Sequence, residues 1–424
     1  MPTDSLHSGD LARRLARLLP AHYGWVIVVS GLLTVFACLG IGRFALGMLL
    51  PSMGISLDLS YAEMGLISTA NFIGYLVAVL GCGRLVGIYG ARAVIGGALL
   101  TVGLSLLLVS RSDGFLGVLL LYTVTGVGSG AANVPIMGLV SHWFTRRWRG
   151  RAAGFIVVGS GFAIMTTGLL IPAVNATWGL EGWRYSWLFL GLAVVAIAVL
   201  CSLLLRNGPG QVGQGVYGER VATNGAPASP PVEPDDATRR GILARLGLIY
   251  FLFGFTYVIY VTFIVTTLVH ERGFTEAVAG RFWFWVGFLS LFSGPVFGWL
   301  SDHAGRRIGM AAVFAMHAGA YLCAGLPLPA PFIYLSVALF GLAAWSIPGI
   351  MAAAVGDYMG PRHAVAGFGF ITFIFGIGQI LGPALAGVLA EAGGGFASSY
   401  LLAAALASLA MVLTLTTLPK SSAH

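Results

Sequence analysis

The sequence predicts an all-α membrane protein of twelve transmembrane helices in two six-helix, pseudo-symmetric halves. Three observations carry that expectation: a composition foreign to soluble domains, twelve apolar runs of bilayer length, and an internal repeat relating the second half to the first. Of the 424 residues, 58% are apolar and only 9% are Asp, Glu, Lys or Arg, with a mean hydropathy of +0.90. Soluble domains carry about 25% charged residues, so a soluble fold is excluded. The formal charge of +8 is not set in a hydrophilic domain that would present it to phosphates, and nucleic acid is not an expected partner. Cys38, Cys82, Cys201 and Cys323 sit in apolar runs without metal-ligand spacing and read as buried small hydrophobes; no metal or other cofactor is expected.

A hydrocarbon core of ~30 Å needs ~20 mostly apolar residues per helix. The first run, 23–53, is too long for one straight crossing and must tilt, bend or protrude. Runs at 62–84, 92–110, 115–143, 151–177 and 183–205 follow, parted by charges, Pro or Gly clusters. Residues 207–240 are rich in Gly, Pro, Ala and acidic pairs, lack an apolar period, and read as a flexible cytoplasmic linker. The second set lies at 242–269, 277–300, 308–326, 332–355, 364–390 and 396–418. The chain thus divides into a tail (1–22), a first half (23–206), the linker, a second half (241–418) and a tail (419–424).

Cytoplasmic loops accumulate Lys and Arg. With both termini inside, 18 of the 23 basic residues are cytoplasmic; Arg111, Arg184, Arg272 and Arg281 fall on the other face, and Arg43 lies within a helix. That asymmetry predicts an even number of crossings and two cytoplasmic termini; the expected location is a bacterial inner membrane. Before the first span, Leu11, Leu15 and Leu18 share one face and Arg13 and Arg17 another, a pattern suited to the inner leaflet. No signal-peptide cleavage site is visible, so the first run is expected to be retained.

The halves repeat. Asn133-Val134-Pro135, Arg149 and Ala153-Gly154-Phe155 match Ser346-Ile347-Pro348, Arg362 and Ala366-Gly367-Phe368 at an offset of 213. Gly83, Leu85, Gly90 and Arg92 match Gly298, Leu300, Gly305 and Arg307 at an offset of 215. Parallel six-helix repeats are an architecture in which a central cavity opens alternately to each side.

Gly298-Trp299-Leu300-Ser301-Asp302-His303-Ala304-Gly305-Arg306-Arg307 resembles the G-x-L-x-D-x-x-G-R-R loop of the major facilitator superfamily, and the resemblance implies the major facilitator fold. The first-half counterpart has Gly87 where Asp is expected, so a charge-relay role does not carry over there. Segments 40–45, 70–76 and 375–383 resemble the YbfB/YjiJ-like branch, and Tyr23-Gly24-Trp25 with the stretch from Trp143 to Gly154 partly resembles oxalate and monocarboxylate transporters. One departure matters: monocarboxylate carriers place an Arg before the Pro of span 8, where this chain has Gly294 before Pro295.

An ionisable group inside the bilayer costs at least ~2.5 kcal/mol on insertion scales, so each one is a functional candidate. Arg43 has mostly apolar residues back to Trp25, and 44–57 beyond it carries no charge. Either span 1 bends at Gly40 or Gly42 and Arg43 snorkels to the outer interface, or Arg43 faces the cavity and holds an anion, with paired donors that match a carboxylate. All 15 acidic residues lie in tails, loops or helix ends, leaving no mid-membrane carboxylate as counter-ion or proton relay. That favours an anionic substrate.

Asn71 and Tyr75, Asn133, Tyr257 and Tyr260, and Gln379 form the pool of further substrate-binding residues, because the family resemblance places spans 2, 4, 7 and 11 around the cavity; each also fits helix-to-helix bonding. By the same family resemblance, Asp302, Arg306 and Arg307 are expected to latch the inner gate, against a plain surface ion pair. Arg281 reads as an outer-gate charge or as half of an interfacial ion pair with Glu271 or Glu276. His317 reads as a hydrogen-bonded structural residue or a proton carrier. Glycines at 126, 128 and 130, 154, 159 and 161, and 376, 378 and 382 suit close helix approach and rocking rather than nucleotide binding.

The expected function is secondary transport of a small organic anion, a monocarboxylate foremost, by proton symport or anion exchange. The alternative is proton-coupled efflux of hydrophobic drugs stacked on aromatics such as Phe255, Trp283 and Trp285; a transporter-shaped sensor ranks lower. No nucleophile, base and orienter are grouped at one depth, so an enzyme is not expected. The expected partners are the anionic substrate, protons and the lipid bilayer, with the chain acting as a monomer.

Overall fold

The computed structural model describes residues 21–218 and 236–418. The tails, including the Leu11–Leu18 pattern, and linker residues 219–235 lie outside the described residues. Twelve helices follow in order: α1 (Gly24–Ser56), α2 (Tyr61–Tyr89), α3 (Ala91–Val109), α4 (Phe115–Trp143), α5 (Arg146–Trp178), α6 (Gly182–Leu204), α7 (Ala237–Glu271), α8 (Glu276–Ala304), α9 (Arg306–Gly325), α10 (Pro331–Gly360), α11 (His363–Gly393) and α12 (Ala397–Thr417). Among the described residues, eleven unbroken helical stretches are long and apolar enough to cross a bilayer, and one of them, Arg146–Leu204, has 59 residues. At ~1.5 Å per residue that stretch is far too long for one crossing. The 3₁₀ turn Gly179–Glu181 divides it into α5 and α6, which restores the expected twelve.

Local chemistry explains the breaks. Gly90 (φ 79°) and Gly305 (φ 92°), the repeat-related glycines, each cap the next helix in a backbone conformation that L side chains avoid. The same device at Gly360 (φ 73°) parts α10 from α11. Ser60 and Glu63 form a capping box at the start of α2: the Ser60 N–H donates to Glu63 at 2.9 Å and the Glu63 N–H to Ser60 Oγ at 3.2 Å.

The long first span runs as 33 continuous helical residues, Gly24–Ser56. It widens into a π-helix over Phe36–Phe44. Widening shifts the backbone register, and α4 supplies donors to the displaced carbonyls: Ser129 Oγ to Cys38 O at 2.7 Å and Tyr122 Oη to Arg43 O at 3.0 Å.

Packing divides the described chain into two compact units that cut across the repeats. The first comprises residues 21–45, 73–163 and 183–218; the second, 46–72, 164–182 and 236–418.

Within the first unit, residues 207–218 of the expected flexible linker are docked. A 3₁₀ turn at Pro209–Val212 leads to Tyr217, whose N–H donates to Trp143 O at 2.9 Å and whose carbonyl accepts from Thr145 N–H at 3.1 Å. Gln214 accepts the Tyr23 N–H at 3.0 Å. The strap therefore satisfies a terminal carbonyl of α4 and a donor ahead of α1, groups no helix can pair internally. The Tyr217 ring sits among His22, Trp25, Phe144 and Trp148, at centroid distances of 5.2–5.9 Å.

Within the second unit, segments of the first repeat pack directly on the second at the end opposite the linker. There α1 meets α7, with Ser68 of α2 and Thr262 of α7 hydroxyl to hydroxyl at 3.2 Å. On α2, Thr69 Oγ1 donates to Ile380 O of α11 at 2.9 Å and the Tyr61 N–H to Glu391 at 2.9 Å. On α5, Asn175 Nδ2 donates to Glu276 of α8 at 2.7 Å and to Ser52 of α1 at 3.2 Å. Gly168 and Gly280 let α5 and α8 cross backbone to backbone: a Cβ on either would lie 2.6 or 2.2 Å from the other's carbonyl oxygen.

Candidate functional site

Arg43 leaves the π-helical turn of α1 buried, with only 9% of its surface exposed. Its guanidinium carbon lies 4.2 Å from the centroid of the Tyr75 ring, and Asn133 Nδ2 donates to Tyr75 Oη at 2.8 Å. The structure thus brings Arg43, Tyr75 and Asn133 together from α1, α2 and α4 of the first unit. Such a cation–π contact is worth ~2 kcal/mol or more when desolvated, comparable with the insertion cost of the charge. Asn71, one turn from Tyr75 on the same face of α2, is buried. Tyr122 and Ser129 join this site through the backbone of the π turn; their roles depend on its register, which no sequence period announces.

Every described carboxylate lies at or beyond a helix end. Glu63, Glu276, Asp302, Asp357 and Glu391 fall within the first or last few residues of their helices, Glu271 closes α7, and Asp58, Asp113 and Glu181 lie between helices. The centres of the membrane-spanning segments carry none among the described residues.

In the second unit, Gln379 of α11 donates through Nε2 to Tyr257 Oη of α7, and both residues are buried. The Tyr257 ring is nearly parallel to Phe253 and Phe375, at 4.9 and 6.0 Å, and meets Trp345 edge-on. Tyr250 continues the stack on Phe375 at 4.3 Å. Sequence reading named Tyr257 and Gln379 but missed Phe253, Phe375, Tyr250 and Trp345; the four- and three-residue spacing of 250, 253 and 257 was the available signal. Tyr260 goes elsewhere. Its hydroxyl bonds Ser336 at 2.9 Å and its ring stacks on Phe340 at 4.1 Å, which places it in the packing of α7 against α9 and α10. Of the aromatics weighed for drug stacking, Phe255 and Trp283 are buried, whereas Trp285 is exposed.

The α8–α9 loop motif forms a three-residue charge network. Arg306 pairs with Asp302 and, at 2.7 Å through Nε, with Asp357 of α10; its Nη1 also donates to Ser301 at 3.1 Å. Asp357 was missed, because a single acid nine residues past Pro348 has no local partner in the sequence. Arg307 is half-buried at the start of α9. Arg281 is exposed on α8, while Glu276 receives Asn175 and Glu271 receives the Phe396 N–H at 2.9 Å. His317 is enclosed by Phe253, Tyr321 and Phe340, and neither ring nitrogen has a hydrogen-bond partner among the described residues. The hydrogen-bonded arrangement expected for it is absent.

Comparison with known proteins agrees with this architecture. The chain is 23% identical over 396 residues to a hexuronate transporter of Bacillus subtilis (strain 168), spanning 86% of this chain and 88% of that protein. It is 26% identical over 400 residues to monocarboxylate transporter 11 of Mus musculus, spanning 90% and 84%. A bacterial homolog of the human lysosomal transporter Spinster, crystallised inward-facing and unoccupied, superposes with a TM-score of 0.74 at 16% identity over 92% of this chain and 96% of that one. The fold is that of the major facilitator transporters. A family model described as "Uncharacterised MFS-type transporter YbfB" matches residues 35–415, and the chain belongs to that family of multi-pass membrane transporters.

Proposed function

We propose that the protein carries a small organic anion, foremost a monocarboxylate, across a bacterial inner membrane, with Arg43 as the anchor for the carboxylate. The observation behind this reading is a buried guanidinium stacked on Tyr75, in a chain whose described carboxylates all lie at helix ends. A desolvated arginine stays charged and presents paired donors, so an anion is its natural counter-ion. Hexuronates and monocarboxylates, named for the two relatives, both bear a carboxylate. Tyr75 and Asn133 orient the guanidinium; in the second unit Asn71, Tyr257 and Gln379 remain candidates for substrate binding, and Tyr260 is left out because its hydroxyl is engaged in helix packing.

Transport proceeds by alternating exposure of these side chains to the two faces, driven by proton symport or by exchange against a second anion. Asp302, Arg306 and Arg307 secure the linker-side ends of α8 and α9, with Asp357 as an added member. Both termini face the cytoplasm, and the monomer is the working unit. The test is uptake of labelled lactate, benzoate and glucuronate into proteoliposomes, with and without an imposed pH gradient. Saturable uptake that is lost in Arg43→Ala and retained in His317→Ala is expected. Unchanged uptake in Arg43→Ala refutes the anchor.

A further inference from the structure

The linker-side end of α5 carries Arg146, Arg147, Arg149 and Arg151 within its first two turns, and no acidic residue in the first. That end is the positive pole of the helix, where carboxylates are favoured and cations cost stability. The fold accounts for Arg149, which donates to the carbonyls of Phe144 at 2.9 Å and Ser141 at 3.0 Å, where α4 ends. Arg146, Arg147 and Arg151 are exposed and make no hydrogen bond or ion pair among the described residues. Nor does the first unit offer them a partner: the one carboxylate among its described residues is Asp113, paired with Arg184 at the opposite end.

Below these charges the same helix face turns apolar. Arg147 and Arg151 stand one turn apart, and their face continues through Phe155 and Phe162, which are 55% and 41% exposed. The Arg151 guanidinium carbon lies 4.9 Å from the ring centroid of the half-buried Trp148, and Tyr217 of the strap packs on that indole at 5.2 Å. Trp25 of α1 meets Phe155 edge-on at 6.0 Å. Two turns beyond Phe162 on this face, Leu169 is still 55% exposed, although its neighbour Gly168 is crossed by α8. The stripe is therefore not the face that α5 turns to α8.

We infer that this stripe binds one anionic phospholipid of the linker-side leaflet, its phosphate on Arg147 and Arg151 and an acyl chain along Phe155 and Phe162. The inference rests on the chain's being a membrane transporter and not on the identity of its cargo. Guanidinium and phosphate make charge-assisted, paired hydrogen bonds, and an anion at this pole offsets the cost of the crowded cations. At ~1.5 Å per residue Arg151 stands ~16 Å from Phe162 along the axis, about half of a ~30 Å hydrocarbon core and so the depth of one leaflet. Trp148 and Trp25 lie at the level of the arginines, where indole rings favour the membrane boundary. A soluble phosphate would engage the arginines and leave the aromatic part of the stripe bare. A zwitterionic lipid would bring a further cation among cations. An anionic headgroup with acyl chains answers both parts.

The test is native mass spectrometry of the full chain in detergent, titrated with phosphatidylglycerol or with phosphatidylcholine of the same acyl chains. Phosphatidylglycerol is expected to bind the more tightly. Arg147→Gln/Arg151→Gln is expected to weaken its binding about 30-fold, the equivalent of ~1 kcal/mol for each arginine near an anionic surface, and to leave phosphatidylcholine unchanged. Arg84→Gln/Arg245→Gln removes the same charge from exposed positions on α2 and α7 and is expected to keep the phosphatidylglycerol affinity. Equal affinity for the two lipids overturns the inference, as does an equal effect of the two double variants. Displacement of the lipid by an equal concentration of glycerol 3-phosphate marks a site for a soluble anion and overturns it too. No transported acid enters the measurement, so each outcome is separate from the fate of the anion reading.

Discussion

Replacing Gly168 by Ala tests how the end opposite the linker closes. An added Cβ would lie 2.6 Å from the Gly280 carbonyl oxygen and 2.8 Å from the Phe284 amide nitrogen, both backbone atoms of α8 that cannot swing aside. Ordinary contact begins near 3.4 Å, so α5 and α8 must part by roughly 0.8 Å. The same separation would take the 2.7 Å bond from Asn175 to Glu276 to the limit of useful hydrogen-bond length. Overpacking of this kind costs about 1–3 kcal/mol. Charged to the closed arrangement alone, that lowers its population relative to an opened one by about fivefold to 150-fold. The internal control is Gly294→Ala on α8, where a Cβ meets nothing within 4 Å and alanine's helix propensity favours the substitution by up to ~1 kcal/mol. Both variants are to be read by the distance between spin labels at Leu180→Cys and Ala330→Cys, two exposed positions at this end, and by uptake rate. Gly168→Ala is expected to lose the short-distance population and most turnover while Gly294→Ala keeps both. Equal closed fractions in the two variants refute the claim that this backbone crossing sets the closed state.

Tyr217→Ala removes a ring that touches four aromatic neighbours and is expected to destabilise the first unit by about 1–3 kcal/mol, seen as a lower melting temperature and faster proteolysis between residues 207 and 240. Asp357→Asn is expected to cost under ~1 kcal/mol, because the pair with Arg306 is 46% exposed on the acid's side; a double-mutant cycle with Arg306→Ala measures it, and a coupling above ~2 kcal/mol contradicts the estimate.

Much of the architecture is legible in the sequence. Apolar run length gave the twelve spans, since lipid leaves backbone groups no partner but their own helix. The offset repeat anticipated that Gly90 and Gly305 would break helices alike, and both do, at φ 79° and 92°. Arg43 stood out because a lone charge in an apolar run is expensive wherever it points. The linker misled for a physical reason: composition shows that 207–218 has no apolar face to bury, but not that the ends of α1 and α4 leave backbone groups unpaired for it to satisfy.

Sequence by itself thus determined the solvent, the number of crossings, the repeat and the residue types available for chemistry, because these follow from transfer free energies summed along the chain. Only the tertiary structure decided which neighbours those residues meet. It widened α1 at Arg43, set the guanidinium over the Tyr75 ring, sent Tyr257 and Tyr260 to different helices, and joined Asp357 to Arg306. Each of those outcomes depends on helix register and crossing at the scale of an ångström, set by close packing between segments distant in the chain, to which local periodicity is blind.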